Sequence, residues 1–66
     1  MAVIKVIELL AQSEKSWEDA AQVAINAAAK SVRNIKSIYI ENLQGIVKDG
    51  KIAEYRVDAK VSFLVE

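Results

Sequence analysis

Nine carboxylates are the main chemical resource of this chain. They are its only plausible general bases, and their hard oxygens suit a cation such as Ca²⁺. None has a histidine or cysteine to work with, because the sequence contains neither. That excludes a Ser-His triad, thiolate catalysis, zinc sites built on His or Cys, and a disulfide framework. With two glycines in all, there is also no Gly-rich phosphate loop, and no EF-hand spacing. No nucleophile is set beside a base by local sequence, so we find no enzyme signature.

Two carboxylates stand out once the chain is folded on paper. Asp49-Gly50 suits the left-handed angles of a type I′ turn, joining a strand over residues 35–48 to one over 51–65. A two-residue turn puts Lys48 opposite Lys51, and hence Ile46 opposite Ala53, Ile40 opposite Ala59 and Ile38 opposite Val61. In the same register Glu41 faces Asp58, and directly opposed carboxylates repel unless something intervenes. A divalent cation is one resolution. Neutralisation by Arg56 and Lys60, or a register shift at Gly45, is the other. Glu54-Arg56-Asp58-Lys60 alternates in charge along one strand face, which fits either a polar ligand site or a salt-bridged surface.

The remaining elements must position these groups. Residues 2–10 are rich in β-branched side chains and predict a first strand, with Lys5 and Glu8 on opposite faces. Gln12 to Ser16 is a polar connector, and Ser16 before Trp17-Glu18-Asp19 caps a helix expected to run from Trp17 to about Arg33. Lys30 and Arg33 are expected at its C-terminal dipole, and Asn34 in a left-handed position beyond it. The helix interior is mostly alanine and allows close approach to a sheet. Trp17 is either its bulky anchor or a platform for a planar ligand. Val57, Tyr55 and Phe63 are expected on the helix-facing side. Ser37, Tyr39, Glu41 and Leu43 are expected on the opposite side, and both long arms are expected to bend at Gly45.

Strand, helix, strand, strand is an α+β arrangement. A right-handed crossover leaves the third strand central in a three-stranded antiparallel sheet against one helix. Sixty-six residues allow one domain, residues 1–66. The apolar fraction is 53%, but much of it is alanine, so the core is thin and other subunits are expected on the uncovered face. A formal net charge of zero argues against nucleic acid or anionic lipid as a partner. No apolar run reaches membrane-spanning length and no leader is visible, so the expected location is the cytoplasm.

The strand ending Ile7-Glu8-Leu9-Leu10, Ser16-Trp17-Glu18-Asp19-Ala20-Ala21, Ile35 through Gly45, Asp49-Gly50 and Tyr55 through Phe63 together resemble a dodecin, over essentially the whole chain. The resemblance implies this same fold, assembled as a hollow homo-dodecamer that binds or stores a small molecule. Flavin-binding dodecins stack isoalloxazine rings between strand tryptophans, with a glutamine of the last strand at the ring edge. The tryptophan position is Ser37 here and the glutamine position is Arg56. Gln44 and Leu64 replace basic residues that many relatives carry. The implied flavin (riboflavin or FMN) pocket, at Ser37, Arg56 and Gln44, is therefore altered. The Ser-Trp-Glu helix start and missing strand tryptophan are closer to the branch called calcium dodecins. The alternative reading is a flavin-free shell that binds calcium, with Glu41 and Asp58 as our candidate ligands, or that serves a structural role.

Overall fold

The computed structural model describes residues 2–65. Its elements are β1 (Val3–Ser13), α1 (Trp17–Ala28), β2 (Ile35–Lys48) and β3 (Lys51–Val65). They form one sheet in the order β1-β3-β2, antiparallel at both pairings, as the crossover argument requires. Among the described residues no helix is long and apolar enough to cross a membrane.

α1 starts where its cap chemistry places it. Ser16 is extended, with φ of −170°, and its Oγ accepts the Asp19 N–H at 2.9 Å, while Glu18 and Asp19 complement the N-terminal dipole. Ser13 locks the same corner: its hydroxyl donates to Asp19 Oδ2 at 2.6 Å and accepts the Lys15 N–H at 2.9 Å. Replacing Ser16 by alanine is expected to cost about 1 kcal/mol. A urea titration would show it, with Ser16→Asp near the unmodified protein; an unchanged midpoint in Ser16→Ala would deny the cap its role.

The helix ends sooner than the sequence suggests, at Ala28 rather than near Arg33. The Lys30 N–H bonds Ala27 O, and those of Ser31 and Val32 both bond Ala28 O, so the last turn tightens and stops. Lys30 and Arg33 consequently lie beyond the final helical turn, which holds no basic residue. Asn34 does adopt the left-handed conformation, with φ of 60°, and its carbonyl accepts the Leu64 N–H at 3.0 Å, steering the chain into β2. β1 is longer than expected, because Gln12 and Ser13 pair with Arg56 and Tyr55 instead of forming a connector.

Asp49 and Gly50 have φ of 53° and 76°, the left-handed pair of a type I′ hairpin. Beyond that tip the simple register fails at three points. Lys36 and Glu41 on β2, and Ala53 on β3, have no cross-strand partner. Asn42, not Glu41, is therefore opposite Asp58, and Ile46 is opposite Glu54, not Ala53. Leu43 is opposite Val57 and moves to the helix side, the reverse of the expected face. Gly45 is not a register break. It pairs with Tyr55, and a Cβ there would meet the Ile52 side chain at 3.4 Å.

The core lies along an alanine seam. Ala20, Ala24 and Ala28 of α1 are buried, as are Val57, Ala59 and Val61 of the central strand. The two valines Val57 and Val61 are the largest fully buried side chains among the described residues, so the core is as thin as the composition implied.

Candidate functional site

The sheet face away from α1 is open, and side-chain alternation decides what it displays. Glu8, Leu10 and Gln12 of β1 sit beside Lys60, Asp58 and Arg56 of β3, and Asn42 and Gln44 of β2 complete the last two rows. The unpaired Glu41 adds a further carboxylate to this face. Two groupings result.

In the first, Glu8, Glu41 and Asp58 each bring a carboxylate oxygen to within 4.8 Å of the others. Lys60 Nζ contacts Glu41 Oε1 at 2.7 Å. Asp58 is partly buried, and its Oδ1 is shielded from solvent without a hydrogen-bond partner. The Asp58 carboxyl holds Glu8 above its ordinary pKa, first through a hydrogen bond that favours the protonated form and then through like charge. Burial and Glu41 add to the rise, while Lys60 opposes it. The hydrogen bond to Glu41, and the charge of that carboxylate, raise Lys60 in turn. A carboxyl raised in the fold works against folding once it ionises: the penalty is absent at low pH and appears as pH climbs through the carboxylate range. One ammonium thus serves three carboxylates, and converging hard oxygens of this kind can hold a divalent cation.

In the second grouping Arg56 is held between two amides. Its Nε donates to Gln12 Oε1 at 2.6 Å and its Nη1 to Gln44 Oε1 at 3.3 Å. Gln12 Nε2 continues the chain to Glu54 Oε1 at 3.3 Å. Ser37 lies elsewhere: it is opposite Ser62, and the two hydroxyls hydrogen-bond each other. Ser62 lies six residue steps along β3 from Arg56, roughly 20 Å of strand. Within one chain, then, the structure brings Gln44 and Arg56 together but not Ser37.

Trp17 is turned inward. Its ring meets Tyr55 edge-to-face at a centroid distance of 4.7 Å, and its Nε1–H donates to Gln44 O at 2.9 Å. This is the anchor reading of Trp17, made between the helix start and the sheet.

Of the two acidic candidates, Glu41 and Asp58 do share the open face, although they are not opposed. Lys60 neutralises Glu41 as one alternative required, whereas Arg56 is taken up by the glutamines. Glu8 and Gln12 were missed as site residues. Each is placed by the β1–β3 register, which no tight turn fixes. The usable signal was the face of Glu8, opposite to that of Lys5, carried across to Lys60.

A family model described as Dodecin matches residues 3–66. The chain is 41% identical over 64 residues to the calcium dodecin of Mycobacterium tuberculosis, covering 96% of this chain and 89% of that protein. It is 31% identical over 64 residues to the dodecin of Thermus thermophilus, covering 97% and 93%. Among solved structures, a Thermus thermophilus protein superposes with a TM-score of 0.94 at 30% identity, over 100% of this chain and 97% of that one. The calcium dodecin of Mycobacterium tuberculosis, a calcium-chelating antigen with a novel calcium-binding site, superposes with a TM-score of 0.83 at 33% identity, over 97% and 91%.

Proposed function

The chain belongs to the dodecin family, and from that premise we propose that it is a self-assembling binding or storage protein whose open sheet face takes a divalent cation, calcium foremost, in preference to flavin. The observation that carries this reading is the convergence of Glu8, Glu41 and Asp58, with one Asp58 oxygen shielded from solvent and without a hydrogen-bond partner. A cation there supplies the counter-charge that a single lysine divides among three carboxylates. The calcium-binding relative supports the choice of ion. Lys60 is the internal competitor, since its ammonium already lies against Glu41.

In the presence of calcium the melting temperature is expected to exceed that in chelator. A concentration one hundred times Kd stabilises the fold by about 2.7 kcal/mol. Asp58→Asn and Glu8→Gln each remove a donor and should erase most of the difference, whereas Lys60→Met should enlarge it. No shift in the unmodified protein, or an equal shift in Asp58→Asn, would leave the carboxylates to Lys60 and return the protein to a structural or flavin-related role.

A further inference from the structure

The sheet outlasts the helix. The 12 residues of α1 span roughly 18 Å, whereas the 15 of β3 span roughly 50 Å, so the helix-facing side is bare beyond both helix ends. At the end away from the hairpin, the turn after α1 and the outer ends of β1 and β3 enclose a recess of about 470 Å³. Its polar lining is Lys5, Ser31, Arg33 and Asn34, and its apolar lining includes Phe63 and Val65.

Lys5 is out of pattern here. On its face of β1 the other positions are Val3, Ile7, Leu9, Ala11 and the hydrogen-bonded Ser13, and Lys5 is directly opposite Phe63. Arg33 approaches the same recess from the turn. The sole ion pair among the described residues is Lys60 with Glu41, and no described acidic residue lines the recess, so neither cation there has a partner among the described residues. Helix C-terminal carbonyls would repel an anion, but those of Ile25, Ala27 and Ala28 are already bonded to the N–H groups of residues 29–32. Two exposed positive charges beside an aromatic wall form a surface suited to one class of ligand.

We propose that this recess binds a small organic anion, with an aromatic or apolar body against Phe63 and a carboxylate or phosphate drawn by Lys5 and Arg33. The site is separate from the carboxylate cluster and does not depend on the cation reading.

Ligand-observed ¹⁹F NMR on the intact assembly tests it with three probes: 4-fluorophenyl phosphate, 4-fluorobenzoate and the neutral 4-fluorotoluene. Both anions, or one of them, should broaden on adding protein, and the difference between them identifies the head group preferred. The neutral probe should stay sharp, and raising ionic strength from 0.05 to 0.5 M should weaken binding severalfold. The Lys5→Gln, Arg33→Gln double variant should bind at least tenfold more weakly. Arg33→Gln alone, on the turn outside every strand, keeps the test valid if the double variant misassembles. Equal broadening of the neutral probe, no broadening of either anion, or full retention in Arg33→Gln would overturn the proposal.

Discussion

Riboflavin titrated into the purified protein is expected to keep its fluorescence, and the protein to be colourless. Stacking of a planar ring on an aromatic side chain contributes roughly 1–3 kcal/mol per contact. The dodecin flavin site draws one tryptophan from each of two subunits, and the family resemblance puts Ser37 at that position in this chain. Losing both should cost roughly 2–6 kcal/mol, about one to four orders of magnitude in affinity. The geometry offers little to offset the loss. The Ser37 hydroxyl is bonded to Ser62, and the Arg56 guanidinium is already fixed by Gln12 and Gln44. For Arg56 to meet a ring edge those bonds must break, and a symmetry-related Arg56 would bring a second positive charge. Quenching at submicromolar protein would refute this expectation. Recovery of quenching in the Ser37→Trp, Arg56→Gln double variant would support it.

Light scattering on the same material is expected to report about 88 kDa, twelve copies of a 7.3 kDa chain. The isolated chain leaves large apolar side chains in water on every part of the sheet: Leu10 is 66% exposed, Val47 62% and Leu43 59%. Exposed apolar groups in that number on so small a unit mark interfaces. The alanine seam and two buried valines cannot alone offset the chain entropy of ordering 66 residues. A monomer or dimer at micromolar concentration would contradict this and remove the shell from the proposed function.

The parts of the fold that were legible in the sequence are those set by local chemistry. Asp49-Gly50 needs left-handed angles, Ser16 with Asp19 makes a cap, and strand order follows from crossover handedness. The parts that were not are settled by distant partners. β1 runs on to Ser13 because β3 is there to pair with Gln12 and Ser13. α1 stops at Ala28 because the turn must deliver Asn34 to Leu64. The candidate site divided in the same way. Glu41 and Asp58 belong to one hairpin and could be set on one face by counting from its turn. Glu8 and Gln12 reach that face across a pairing whose register rests on side-chain packing alone.

The two unpaired residues near the hairpin bear on how this sequence can change its length. Glu41 adds a residue to β2 and Ala53 adds one to β3, between the Ile40–Ala59 pair and the tip. Their offsets cancel, which is why a simple count from the two-residue turn still pairs Ile40 with Ala59. Loss of Glu41 alone would close the bulge on β2 with Ile40–Ala59, Asn42–Asp58 and Leu43–Val57 kept, so Leu43 would stay on the helix side and the two-residue turn would be unchanged. Loss of Ala53 alone would likewise close the bulge on β3, with Ile46–Glu54 and Val47–Ile52 kept. Single-residue gaps at these two positions should therefore be tolerated independently of each other, each removing a local kink of its strand and leaving the pleat in step.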